Sequence, residues 1–277
     1  MGESHQHCRS GPMMRSTSLP TSLRVAITSR RLLKVIAGLT NLDSVAVLKI
    51  ARAAAAGGAD LVDIACEPAL VRAVAEACPQ LPICVSAVDP DLFPAAVAAG
   101  AAMVEIGNFD AFYPQGRIFG AEEVLDLTRR TRTLLPEVVL SVTVPHVLPL
   151  DQQEQLAVDL VAAGADLIQT EGGTSARPFS AGSLGLIEKA APTLAAAHAI
   201  SRALASACVD PLPVLCASGL SAVTVPMALA SGAAGVGVGS AVNRLSDELA
   251  MVAVVRGLRE AIDAVAPVAA LSQRRSV

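Results

Sequence analysis

Short apolar runs alternate with longer, alanine-rich segments of helical period along most of this chain. The runs are rich in Val, Ile and Leu and read as strands buried on both faces. The pattern predicts strands near 33–39, 61–66, 83–88, 103–107, 138–144, 167–170, 214–217 and 235–238. It predicts helices near 42–55, 69–77, 91–98, 121–134, 151–162, 184–207, 222–230 and 247–265. Asp43 and Ser44 offer a start for the first of these, and Gly57-Gly58 a stop. Strict alternation of eight strands with eight helices predicts a single α/β domain, a (β/α)8 TIM barrel. An open doubly wound sheet is the rival arrangement.

A repeat favours the barrel. The segments AGGADLVDI (56–64), AAGAAMVEI (98–106), AAGADLIQT (162–170) and ASGAAGVGV (230–238) share one pattern. Each places Gly between a helix end and a strand start, where a left-handed helix cap needs it. They fall on the second, fourth, sixth and eighth predicted strands, as expected of a closed barrel built from βαβα quarters.

The ends of the chain break the pattern. Residues 1–30 are rich in Ser, Thr and Arg, with Glu3 as the acidic residue. They are expected to form a disordered N-terminal extension, either a transit peptide, a plain extension or an over-long start. The barrel is assigned to 31–265 and a C-terminal tail to 266–277. The composition of the 277 residues, 53% hydrophobic and only 2% aromatic, suits alanine-rich helices packed closely on a parallel sheet. A net charge of −4 and the absence of a basic stripe argue against nucleic acid as a partner. No apolar stretch is long enough for a membrane span. The six cysteines lack CxxC spacing and read as buried thiols of a reducing compartment. The expected location is the cytoplasm, or the plastid stroma if the first residues are a transit peptide. His5 and His7 in that extension are not read as a metal site, and no metal set is assigned.

Candidate chemistry comes from polar residues inside apolar strands, which should face the barrel interior because the outer face packs on helices. This inward set is Lys34, Asp63, Cys84, Ser86, Glu105, Ser141, Thr143, Gln169, Glu171, Cys216 and Ser218. Lys34 against Asp63 and Glu105 would balance charge, since a buried ion needs a partner. Asp63 and Glu105 equally suit a hydrogen-bonded layer that only plugs a small barrel. Glu171 lies further towards the C-terminal end of its strand, where catalytic groups of such barrels sit. His146 and Asn108 also end strands; His146 serves as an acid/base or caps its loop. Position 169 is glutamine, and Lys49 and Lys189 fall on helices, so only Lys34 could form a carbinolamine. Its preferred role is an ion-pair partner or an electrostatic stabiliser of an enolate.

The stretch 213–243 contains two glycine turns, Ser218-Gly219 and Gly237-Val238-Gly239-Ser240, ending the seventh and eighth strands. Turns at these positions expose backbone N–H groups that can cradle a phosphate. Gly173, in EGGTS, would let backbone approach the same ligand. Thr143, Gln169, Asn108 and Arg117 are assigned to substrate binding. Five of the six aromatics follow the fourth and sixth strands, in loops that read as a lid or as a small loop core.

The segments KVIAGL (34–39), DIACEP (63–68), SAVDP (86–90), VEIGNFDAFYPQGR (104–117), SVTVPH (141–146), QTEGGTS (169–175), CASGLSAVTVPMALASGA (216–233) and GVGVGSAVNRL (235–245) resemble a conserved hypothetical family of cyanobacterial genomes and algal plastids. The family is known as a domain of unknown function. The resemblance runs from about Leu33 to about Leu258 and implies a TIM barrel in a photosynthetic lineage; it implies no established reaction. More distantly, the turns are similar to those of sugar-phosphate epimerases, thiazole synthase and flavin-dependent barrels. The functional expectation is an enzyme of isomerase, epimerase, lyase or synthase type acting on a small phosphorylated ligand. An FMN-binding barrel and a non-catalytic regulatory barrel are the alternatives, and self-association into a homo-oligomer is left open.

Overall fold

The computed structural model describes residues 19–172, 176–208 and 210–265. Eight parallel strands, β1 (Leu32–Gly38), β2 (Leu61–Ala65), β3 (Ile83–Ala87), β4 (Met103–Ile106), β5 (Val139–Thr143), β6 (Leu167–Gln169), β7 (Val214–Ala217) and β8 (Gly235–Val238), pair in sequence order. β8 pairs back onto β1, with Leu32 opposite Gly235 and Lys34 opposite Gly237. The barrel is closed, so no strand edge is left unpaired. This is the (β/α)8 TIM barrel and not the open sheet.

Helices cover the outer face. α2 (Ser44–Gly57) starts where the Asp43 carboxylate accepts from the N–H groups of Val45 and Ala46, and Gly58 ends it at φ 87°. α3 (Pro68–Ala77), α4 (Phe93–Ala98), α5 (Ala121–Leu134), α6 (Leu150–Ala163), α7 (Gly182–Ala207) and α8 (Val225–Ala230) follow their strands. After β8 a short α9 (Ser240–Asn243) precedes α10 (Glu248–Asp263). The repeat glycines Gly58, Gly100, Gly164 and Gly232 all take positive φ between helix and strand.

Two expectations need correction. Residues 21–28, placed in the flexible extension, form a helix, α1 (Thr21–Thr28). Its Leu23, Ala26 and Ile27, with Leu19, pack on Leu32, Leu61, Cys84, Met103, Val139, Leu167 and Leu215. These strand residues form the lowest layer of the barrel interior, so α1 closes the N-terminal end. His5, His7 and the tail 266–277 lie outside the described residues. Cys216, expected to face inward, packs outward on α7. Its Sγ lies 3.6 Å from Thr193 O, and the inward residues of β7 are Leu215 and Ala217. Thr193 supplies a polar partner on the helix side, which the rule of polar-inward residues did not allow for.

Leu23 is fully buried. Leu23→Ala is expected to cost about 2 kcal/mol, read as a lower urea midpoint at unchanged slope. An unchanged midpoint would mean that α1 contributes nothing to closing the barrel.

Candidate active site

Above the apolar floor, alternate positions of the strands form a polar layer. Lys34, Asp63, Ser86, Glu105, Ser141 and Gln169 are all buried. The pairing places Ser86 opposite Glu105 and Glu105 opposite Ser141. Lys34 Nζ lies 2.7 Å from Glu105 Oε2, 3.0 Å from Asp63 Oδ2 and 3.0 Å from Gln169 Oε1. An ammonium has three donors, and all three are used. Glu105 also accepts from Ser141 Oγ at 2.7 Å and Gln169 Nε2 at 2.6 Å, and Asp63 from Ser86 Oγ at 2.6 Å.

Burial alone would lower the pKa of the Lys34 ammonium; Asp63 and Glu105 reverse this and hold it above the ordinary lysine range. Burial pushes the Glu105 carboxyl up against the pull of Lys34. A lysine held so firmly as an ammonium has no lone pair for a carbinolamine. Asp63, Cys84 and Glu105 bring three ligand-type atoms within 4.8 Å of one another. The cation lying between the two carboxylates is the Lys34 ammonium. Burial keeps the Cys84 thiol protonated, well above its ordinary value.

Asn108 roofs this layer. Its backbone is left-handed, at φ 60°, a conformation asparagine tolerates. Its Nδ2 lies 3.3 Å from Asp63 Oδ2, 3.1 Å from Ser86 Oγ and 3.2 Å from Glu105 Oε1. Beneath Asn108, Gly107 backs onto Thr143, whose Oγ1 accepts from Asn108 N and Gln169 Nε2.

Above Asn108 a cavity of about 180 Å³ opens at the C-terminal mouth. The β7 turn contributes Ala217, Ser218 and Gly219, and the β8 turn Gly239, Ser240 and Asn243. Opposite them stand Asn108, Asp110 and Glu171, with Thr40 and Thr170 between. Ser218 and Gly219 take φ 77° and 74°. Among the described residues, the N–H groups of Gly219 and Ser240 have no backbone acceptor. Asn243 Nδ2 donates to Ile36 O at 2.8 Å and so ties the β8 turn to β1.

Glu171 is nearly buried in the cavity wall. Its carboxylate accepts from the Tyr113 hydroxyl, from His146 N at 3.1 Å and from Asp110 N at 3.2 Å, and contacts His146 Nδ1 at 3.0 Å. Burial, followed by the charge of Glu171, pushes the Tyr113 phenol up, so it stays a donor. Asp110 and Tyr113 both ride on the loop after β4, which therefore closes directly on Glu171.

The structure thus brings Glu171, Asn108, Ser218, Gly219, Gly239 and Ser240 to one cavity. His146 supports Glu171 from outside the lining. Lys34, Asp63, Glu105, Gln169 and Thr143 form the layer beneath and touch the mouth only through Asn108. Two assignments fail. Gly237 lies in β8 below the mouth, where a Cβ would meet Ala217 Cβ at 2.9 Å and Ile36 Cδ1 at 3.1 Å; its smallness serves packing. Arg117 pairs with Glu123 and lies 4.1 Å over the Phe119 ring, away from the cavity. Gly173 lies outside the described residues. Asp110, Thr170 and Asn243 were missed. Asn243 closes the same glycine-rich stretch and was legible from that position; Thr170 faces away by strand alternation, and no sequence signal marks it.

Among the described residues no helix is long and apolar enough to cross a membrane. The family described as "Protein of unknown function (DUF561)" matches residues 19–267. The uncharacterized protein ycf23 of Cyanophora paradoxa is 42% identical over 82% of this chain and 90% of its own. The ycf23 protein of Pyropia yezoensis is 33% identical over 89% of this chain and 88% of its own. Among solved structures, 3-hexulose-6-phosphate synthase matches with TM-score 0.58 at 18% identity, over 85% of this chain and all (100%) of that one. (S)-3-O-geranylgeranylglyceryl phosphate synthase from Thermoplasma acidophilum, in complex with its substrate sn-glycerol-1-phosphate, matches with TM-score 0.55 at 12% identity, over 89% of this chain and 100% of that one. At such identities the likeness is one of fold.

Proposed function

The chain belongs to the DUF561 family, and from that premise we propose that its barrel mouth is the active site of an enzyme acting on a small phosphorylated metabolite. The observation that carries this reading is one cavity lined by both glycine turns and by Glu171. The free N–H groups of Gly219 and Ser240, with the Ser218 and Ser240 hydroxyls, receive the phosphate. The loops after the seventh and eighth strands are where barrels of this class hold phosphate, and structural neighbours named for phosphorylated substrates support the analogy. The volume, about 180 Å³, is below the ~300–1,000 Å³ of sites for drug-sized ligands, so the ligand is a short one. FMN, the alternative occupant of these turns, needs room for a three-ring system and ranks second on the same ground.

The reaction is proton transfer at a carbon next to a carbonyl, as in isomerases, epimerases and lyases. Glu171 is the base. Tyr113, His146 and the Asp110 N–H hold its carboxylate in place, and Asn108 polarises the carbonyl. Lys34, Asp63 and Glu105 do not touch the ligand; they set the potential beneath Asn108. The protein works in the cytoplasm or the plastid stroma.

The phosphate end is tested with Ser240→Asp, which places a carboxylate among the proposed donors. In calorimetry with inorganic phosphate, the wild-type chain should bind and the variant should bind at least about tenfold more weakly. Equal binding by both proteins would remove the β7/β8 turns from the site.

A further inference from the structure

The described lining of the mouth contains no lysine or arginine. Residues 173–175, Gly-Thr-Ser, add no basic residue either. Nearby cations are engaged elsewhere: Arg117 with Glu123, and Lys189 Nζ with Ala176 O at 2.8 Å. The cavity does contain the carboxylates of Asp110 and Glu171. Its floor is also electronegative. Asp63 and Glu105 together outweigh the single charge of Lys34, and the Asn108 amide, with two hydrogens, faces three acceptors within 3.3 Å. The β7/β8 end presents neutral backbone donors. The cavity is therefore bipolar, with donors at one end and excess acceptors and negative charge at the other.

A phosphate monoester carries ~1.5 to 2 negative charges near neutral pH. Buried beside carboxylates with no basic side chain, that charge is costly unless the ligand brings its own cation. We infer that the ligand of this cavity is a short zwitterion, a phosphate monoester carrying a protonated amine, with the phosphate on the β7/β8 turns and the ammonium facing Asp110 and Glu171 over Asn108. This rests on the phosphate reading above and narrows its substrate class. The amine replaces the missing arginine or lysine and fills the acceptor-rich end in one step.

Calorimetry on the full chain with three probes tests it: 2-aminoethyl phosphate, 2-hydroxyethyl phosphate and inorganic phosphate. The two esters match in size and differ in amine against hydroxyl. The expected result is aminoethyl phosphate bound roughly tenfold or more tighter than hydroxyethyl phosphate, the worth of a charge-assisted hydrogen bond. In Asp110→Asn and Glu171→Gln, each confirmed folded by circular dichroism, that preference should shrink to about twofold or less while inorganic phosphate binds at least as well as before. If inorganic phosphate binds but the two esters bind equally, the ammonium assignment is overturned and the phosphate reading survives. If the wild-type chain binds none of the three, the phosphate reading falls and takes this inference with it.

Discussion

Lys34→Ala is expected to remove about 3–5 kcal/mol of stability, the usual loss when one partner of a buried ion pair is deleted. For a chain of this size that is roughly 10 °C or more in thermal midpoint. The cause is local. Lys34 Nζ lies 3.0 Å from Asp63 and 2.7 Å from Glu105, and all three residues are sealed from water. Without the ammonium, two carboxylates face each other in a low-dielectric layer. Glu105→Gln should cost less, because Lys34 and Asp63 remain a balanced pair and Gln169 and Ser141 still bond position 105. Combining the two substitutions should recover part of the loss, a coupling that a double-mutant cycle reads directly. The pH dependence has a definite sign. The Lys34 pKa is raised on folding. Its contribution is therefore fully present below the ordinary lysine value of ~10.4 and declines only as pH rises beyond it. The stability gap between wild type and Lys34→Ala should thus stay flat through neutral pH and narrow in strong alkali. A loss below about 1 kcal/mol would mean that the cluster behaves as a surface pair.

Glu171→Gln is the second large effect, and it separates chemistry from binding. Glutamine keeps the shape and accepts through one oxygen, yet it cannot take a proton. Deuterium exchange from solvent into the carbon next to the carbonyl of a small ketone phosphate should fall by about 10²–10⁴, with ligand affinity changed only a few-fold. Tyr113→Phe should give an intermediate loss, since it removes one donor to the carboxylate without removing the base. If Glu171→Gln exchanges as fast as wild type, Glu171 holds the loop after β4 in place and is not the base.

The barrel itself was legible because its helices and strands repeat with glycine at fixed points, and Gly58, Gly100, Gly164 and Gly232 do take the left-handed caps expected of them. The polar layer was legible for a related reason: a charged residue inside a Val/Ile run has nowhere to go but the barrel interior. Lys34, Asp63 and Glu105 therefore met as expected. What strand alternation could not settle was height. Gly237 and Gly239 are two residues apart in one glycine-rich run, yet one packs against Ala217 and Ile36 and the other lines the mouth. Likewise Lys34 and Glu105 look catalytic in sequence, and only the position of Asn108 shows that they are covered. Cys216 turned outward because its partner, Thr193, comes from a helix far along the chain. α1 was hidden by the Ser- and Arg-rich composition around it, although Leu19, Leu23 and Ile27 already stand four residues apart.

The central claim is that the mouth between the β7/β8 turns and Glu171 binds a phosphorylated ligand. A crystal structure of the full chain grown with 2-aminoethyl phosphate tests it most directly. The phosphate is predicted within hydrogen-bond distance of the N–H groups of Gly219 and Ser240, with the remainder of the ligand directed towards Glu171. Phosphate density elsewhere on the barrel, with this mouth holding only water, would contradict it.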